Sequence, residues 1–373
     1  MIALGAMSGT STDGVDVAAL HIDPSNGAIR FLDFFTEDFS PSLRQVLLQL
    51  QRIPFVGEPL ADPLGLFLQT RHDLTKTYER AARSLLKTLG LDTCDIACIG
   101  AHGQTLRHRP ELGYTYQMFD GALLAATLGV DVVCDFRSKD IALGGQGAPL
   151  VPAFHQAWLA SRGIHERAAV LNLGGFSNLT VLRGETQSVI GGDCGPANCL
   201  MDEWARDSFN RPFDLDGEIA SRGQPCEALL DVLWSHPFFH THWPKSTGRD
   251  QFSTEWLRSC LQHGAGGLSA EDVMATLLAL TVRAVVHSTP KSLDVVYVCG
   301  GGVRNPALMN LLTLELAPVS CLPFENLGIP AQAVEAAAFA WMAVQRVQNK
   351  PSNCPDVTGA MRAGVLGALY SSH

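Results

Sequence analysis

The feature that most constrains this chain is a pattern that occurs twice. IALGAM (residues 2–7) is a short apolar strand, MSGTSTDG a turn rich in glycine and hydroxyl groups, and VDVAALHID a second, valine-rich strand. AAVLNLGGFSNLTVLRG (168–184) follows the same grammar, an apolar strand ending in Gly174-Gly175, a small polar turn, and a strand resuming as LTVL. Runs of this kind on either side of a Gly/Ser/Thr turn read as hairpins. Two of them at domain spacing predict two related domains, each opening on one hairpin. The expected division is 1–160 for the N-terminal domain and 161–330 for the second, with 331–373 packing back on the first.

The first turn resembles a phosphate loop but matches neither familiar template. The Walker pattern needs a Gly-Lys-Ser/Thr ending, which is absent, and Gly14 opens into a strand instead of the helix of a dinucleotide fingerprint. A hairpin can still hold an anion, because its turn aims several N–H groups outward and glycine admits close approach. Thr10, Ser11 and Thr12 add hydroxyl donors, and Asp13 and Asp16 are placed to hold Mg²⁺ through water. A third glycine element, CGGGVRNPAL, fails the Rossmann pattern because Asn305 stands where its third glycine belongs. Gly300, Gly301 and Gly302 instead offer a flat face at a strand end, suited to a base or ribose. Asn305-Pro306 reads as the cap and first residue of a helix.

Composition excludes several classes. A hydrophobic content of 46% with 17% charged residues describes a compact globular chain, and a net charge of −10 argues against a nucleic-acid binder. No apolar run approaches a membrane span, and MIALGAMSG lacks the basic leader of a signal peptide, so a cytoplasmic location is expected. The ten cysteines contain no C-x-x-C pair and are expected to be reduced and mostly buried. His236, His240 and His242 in HPFFHTH lack a zinc helix pattern and an adjacent acidic ligand, and read as loop histidines on a surface excursion. Residues 196–207, PANCLMDEWARD, are expected to form a helix with Pro196 near its first turn.

In chain order, MSGTSTDGVD, GAHGQT, DFRSKDIALGGQGAPLVPAFH, NLGGFSNLT, GDCGPANCLMDEW, KSTGRD, CGGGVRN and AQAVEAAAFA closely resemble the anhydro-N-acetylmuramic acid kinase family over nearly the whole chain. The resemblance implies an α/β, two-domain actin-like ATPase (ribonuclease H-like) sugar-kinase fold with an interdomain cleft. It implies ATP and Mg²⁺ as cofactors, an amino-sugar partner, and a possible homodimer. The family opens the anhydro bridge of 1,6-anhydro-N-acetylmuramic acid and phosphorylates O6 in cell-wall recycling. Carried over by motif, Gly9, Thr10, Ser11, Thr12, Asp13, Gly14, Val15 and Asp16 would hold the ATP phosphates, together with Gly174, Gly175, Gly300, Gly301, Gly302 and Asn305 as the other nucleotide contacts. Asp193 would be the catalytic aspartate. Thr12 departs from the family's usual leucine, and Gly192 and Cys194 flank Asp193 where an aromatic residue and a threonine are expected.

One carboxylate suffices for this chemistry. Glycoside hydrolysis ordinarily needs an acid and a base or nucleophile. Here the leaving O6 is the atom that attacks phosphorus, which takes up its developing charge. His102, Gln104 and Thr105, just past a buried strand, and Arg137, Asp140 and Glu335 complete the candidate substrate contacts, with Arg137 suited to the lactyl carboxylate. Two alternatives stay open: a simple hexosamine kinase acting on a free 6-hydroxyl, and a nucleotide-switched binding module.

Overall fold

The computed structural model describes residues 1–9, 12–51, 62–184, 188–243, 245–249, 251–264 and 267–373. The chain starts with strands β1 (Ile2–Met7), β2 (Gly14–Ile22) and β3 (Ile29–Asp38), then helices α1 (Pro41–Gln51) and α2 (Pro63–Leu89). Strands β4 (Ile96–His102), β5 (Gln104–Arg109) and β6 (Tyr114–Met118) follow, with α3 (Gly121–Leu128), β7 (Val132–Cys134), α4 (Phe136–Ala142) and α5 (Val151–Ala160). Next come β8 (Ala168–Leu173), β9 (Phe176–Arg183), β10 (Ser188–Pro196), α6 (Asn198–Phe209), α7 (Glu227–Trp234), α8 (Thr254–Gly264) and α9 (Ala270–Ser288). After β11 (Val295–Cys299), α10 (Pro306–Leu316) and β12 (Ser320–Pro323), the chain ends with α11 (Val334–Val347), α12 (Pro355–Thr358) and β13 (Ala368–Tyr370).

These elements form two compact units, Met1–Gly163 with Ala333–His373, and Ile164–Gln332. The sheet of the first unit has the order β13-β7-β4-β1-β2-β3, and that of the second β10-β9-β8-β11-β12. Setting β13 aside, the two orders coincide. In each, the opening strand is antiparallel to the second, the second antiparallel to the third, and the opening strand parallel to the fourth, which is parallel to the fifth. The twice-used hairpin is therefore the visible part of a repeated ribonuclease H-like sheet, the fold class expected from the sequence.

Each sheet is closed by helices whose pattern the sequence carries. In the first unit α2 starts at Asp62, whose side chain accepts from Gly65 N, and stops at Gly90 in the left-handed region. Its face of Leu74, Tyr78, Ala81, Ala82, Leu85 and Leu86 covers the sheet. On the other face α11 lies against β1 and β4 so closely that a Cβ at Gly5 would stand 1.9 Å from Ala336 O, and one at Gly100 2.0 Å from Phe339 O. Glycine at these two strand positions and alanine along the helix make that approach possible. In the second unit α9, apolar along most of its length, is the central helix of the core.

Two local expectations change. The helix α6 begins at Asn198, leaving Pro196 at the end of β10. The segment around 236–253 is no surface excursion: Phe238, Phe239 and Phe252 are buried, and His236 packs 4.7 Å from the Phe252 ring. All ten cysteines are free thiols, and only Cys94 is exposed. Among the described residues no helix is long and apolar enough to cross a membrane.

Candidate active site

Strand register gathers the first unit's candidates at one end of its sheet. Met7, last in β1, pairs with Asp16 on one side and His102 on the other. Cys134 pairs in parallel with Ala101, so Arg137 emerges at the same end. The carboxyl ends of parallel strands are where α/β sheets receive ligands.

The turn after β1 is built from groups far along the chain. Gln104 is fully buried; its Oε1 accepts from Ser8 Oγ and its Nε2 donates to Gly9 O at 3.0 Å. Thr12 adopts φ 54, uncommon for a β-branched residue. Its N–H donates to Gly9 O at 3.2 Å, its carbonyl accepts from Arg44 Nε at 2.9 Å, and its hydroxyl donates to Gln51 Oε1 at 3.3 Å. A Cβ at Gly14 would meet Glu37 O at 2.5 Å, and the Val15 side chain is wholly in the core. Thr12, Gly14, Val15 and Gln104 therefore build and brace the turn through these contacts and close approaches. Gly9, Asp13 and Asp16 remain at its surface, while Thr10 and Ser11 lie outside the described residues.

Asp16 accepts from Thr36 Oγ1 at 2.6 Å. Burial raises its carboxyl above the ordinary range, Thr36 opposes this, and the nearby Asp13 charge adds to the rise. A cation would relieve that repulsion. Among the described residues no group of three or more His, Cys, Asp or Glu forms a metal cage. Paired carboxylates are the donors that suit Mg²⁺ bound through water.

Arg137 donates from Nε to His102 Nε2 at 2.8 Å and from Nη1 to Gly147 O at 2.7 Å. A guanidinium only donates, so Nε2 accepts and the imidazole proton sits on Nδ1. Burial, reinforced by the Arg137 charge, holds His102 neutral, and Nδ1 has no partner among the described residues. Glu335, in the first turn of α11, is open to solvent, yet surrounding protein pushes its carboxyl upward while the Arg137 charge pulls it down. Thr105 is half-buried, its carbonyl accepting from Gln51 Nε2 at 3.0 Å. Asp140 is different. It is fully buried and accepts from Gly147 N, Asn353 Nδ2 and Thr358 Oγ1 at 2.7–2.8 Å, so it fastens the glycine loop to the C-terminal segment instead of meeting a ligand.

The second unit presents its glycines in the same way. Asn172 of β8 pairs with Cys299 of β11, so Gly174-Gly175 and Gly300–Gly302 leave neighbouring strand ends. The carbonyls of Gly174 and Gly175 accept from the first N–H groups of α6, leaving the N–H groups of the turn to offer an anion. Gly300 (φ +85) and Gly302 are glycines because β8 lies against them, Cβ atoms there approaching Asn172 Oδ1 and Leu173 Cβ to 2.4 and 2.7 Å. Gly301 alone of the three faces open space. Asn305 caps α10, its Oδ1 accepting from Leu308 N at 3.1 Å.

Asp193 lies at a bulge in β10 between its pairings with β9. It does not cap α6, whose N-cap is Ala197. Instead Oδ2 accepts from Thr247 N at 2.8 Å, its own N–H donates to Lys245 O at 3.0 Å, and its carbonyl accepts from Trp243 Nε1 at 3.3 Å. Burial lifts the carboxyl to about 6, against the pull of the Thr247 N–H and the Lys245 charge. Lys245 sits over the Phe238 ring at 4.4 Å and donates to Phe238 O. A Cβ at Gly192 would meet Lys245 O at 2.8 Å and Trp243 Cδ1 at 3.0 Å, so the close approach of this segment leaves room there for glycine alone. Cys194 is buried, its thiol pushed up to about 12 by desolvation, and it is inert at neutral pH. The role of the KSTGRD segment was invisible in the sequence, because its partner lies some fifty residues away and the pairing is through backbone groups.

The family model for anhydro-N-acetylmuramic acid kinase matches residues 1–372. The anhydro-N-acetylmuramic acid kinase of Burkholderia lata is 44% identical over 376 residues, covering 99% of this chain and 96% of that protein. That of Cupriavidus pinatubonensis is 44% identical, covering 98% and 97%. Among solved structures, the Acidaminococcus fermentans (R)-2-hydroxyglutaryl-CoA dehydratase component A aligns at TM-score 0.47 and 12% identity, covering 93% of this chain and 99% of that one. The ROK hexokinase from Thermus thermophilus aligns at TM-score 0.39 and 14% identity, covering 92% and 100%. On the match along its whole length, the chain belongs to the anhydro-N-acetylmuramic acid kinase family.

Proposed function

We propose that this chain carries out its family's reaction with Asp193 as the general base. Asp193 takes a proton from water as the water oxygen bonds to the anomeric carbon of 1,6-anhydro-N-acetylmuramic acid. The bond from that carbon to O6 breaks, and O6 takes the γ-phosphoryl group of ATP, giving N-acetylmuramic acid 6-phosphate and ADP. Bound Mg²⁺ would neutralise phosphate charge, and Asp13 and Asp16 are the residues that would hold it. Gly9 in the first unit and Gly174, Gly175 and Gly301 in the second are proposed phosphate and nucleoside contacts. Arg137, Thr105 and Glu335 are proposed sugar contacts, with His102 fixing the guanidinium. Net negative charge, free cysteines and ATP dependence fit a cytoplasmic enzyme that binds no nucleic acid.

The observation that carries this reading is the setting of Asp193, a half-buried residue whose backbone is held on both sides and whose carboxylate accepts from Thr247 N, poised near neutrality. A base works best with its pKa near the operating pH. In H₂¹⁸O, with product trapped before ring-opening exchange, the label is expected at the anomeric carbon. Product unlabelled there would identify a simple kinase acting on a free 6-hydroxyl.

The pH dependence follows from the same carboxyl. Only the ionised form accepts a proton, so kcat/KM is expected to fall below about pH 6 with unit slope. The stability term has the opposite sense. The folded carboxyl titrates higher than the unfolded one at 3.8, so its contribution is present below that value and lost as pH rises through about 6. A kcat/KM profile flat to pH 4.5 would remove Asp193 from the role of base.

A further inference from the structure

The segment 243–252 is fixed at both ends by aromatic packing, Trp243 against the core and Phe252 fully within it. Thr247 Oγ1 is buried without a hydrogen-bond partner among the described residues, so that side chain does not hold the turn. Among the described residues its middle is held by the backbone exchange with Asp193, by Lys245, whose ammonium donates to Phe238 O, and by Arg249. Arg249 Nη1 reaches Glu203 Oε1 of α6 at 2.6 Å, and Glu203 Oε2 accepts from Thr254 Oγ1 at 2.6 Å. The Glu203 side chain is 15% exposed and that of Arg249 66%, so the carboxylate end of the tether is shielded while its guanidinium end is open to solvent. α6 is itself fastened to the Gly174-Gly175 turn, Asn198 Nδ2 donating to Gly174 O at 2.7 Å. A continuous set of contacts thus runs from the glycine turn through α6, Glu203 and Arg249 to the N–H on Asp193.

We propose that Arg249 and Glu203 are positioning residues for the catalytic base, holding Lys245–Arg249 so that the Thr247 N–H and the Lys245 carbonyl orient the Asp193 carboxylate. This rests on the reading of Asp193 as base. The charged groups around the device are Lys245 beside Asp193, and Asp202, Glu203 and Arg206 on α6 beside Arg249. Releasing the segment withdraws both the Thr247 N–H and the Lys245 charge from Asp193, and both now favour its ionised form.

Arg249→Gln is expected to lower kcat about 10- to 100-fold, the range for a misplaced catalytic group. The acid limb of kcat/KM should move to higher pH, while KM for ATP stays within about twofold. Arg249→Lys should recover part of the loss. Glu203→Gln should have a smaller effect of the same kind, and the double variant should be no worse than Arg249→Gln alone, as expected for residues acting through one contact. Because Asp202 is also raised to about 6, the shift is measured again in an Asp202→Asn background, where it should persist. A wild-type limb in Arg249→Gln, or effects of the two single variants that simply add, would overturn the positioning role. If Asp193→Asn is inactive while Arg249→Gln behaves as wild type, this inference alone falls. If Asp193→Asn turns over normally, the base assignment falls first.

Discussion

Asp193→Asn is expected to lose sugar phosphorylation by about 10²–10⁴ in kcat without losing its fold. The side chain keeps its size, and its Oδ2 position can still accept from Thr247 N, so the bulge and the segment at 243–249 stay in place. What disappears is the group that takes the proton from water. Thermal melting separates this from damage. Burial disfavours the aspartate's charge, so the neutral amide should melt at the same temperature or higher at pH 7. An inactive variant of equal or greater stability is the signature of a residue kept for function. Inactivity with a falling melting temperature would instead make Asp193 a structural residue.

The second large effect is on stability. Gly5→Val should destabilise the first unit by about 3 kcal/mol or more, the upper end for overpacking, because the obstructing atom is the backbone carbonyl of Ala336 and cannot turn aside. Gly100→Val, facing Phe339 O, should behave alike. For a unit of this size the fall in Tm is roughly 6–12 °C. Gly301→Ala, with open space around the added carbon, should melt as wild type and serves as the control for substitution of glycine as such. Equal melting of Gly5→Val and wild type would mean that α11 does not sit on β1 as described. That helix carries Glu335 in its first turn, so its seating also sets where this carboxylate meets a ligand.

Much of this architecture is written locally. The two hairpins and the Asn305-Pro306 helix start are each specified by a short window, and each formed as read. Asp193 stands out in the sequence through the motif around it. What local windows cannot carry is which polar group will be consumed internally. Gln104 and Asp140 have the composition of ligand contacts, but their partners, Ser8 and Gly9 for one, Asn353 and Thr358 for the other, lie roughly a hundred residues or more away. The glycines divided for the same reason. Gly14, Gly300 and Gly302 are required by neighbouring backbone, a requirement visible only after the strands are paired. Position 192 is the clearest example, its glycine being set by the approach of Trp243 and Lys245, outside any window that includes the aspartate.

The helix that covers β1 and β4 belongs to the last stretch of the polypeptide, whereas Ile164–Gln332 is uninterrupted. During synthesis the inserted half can therefore finish folding on emergence from the ribosome. The half begun first must wait, its Gly5–Gly100 surface uncovered, until residues 333–373 arrive. Chains released before that point would leave a strip of bare sheet open to chaperones and proteases.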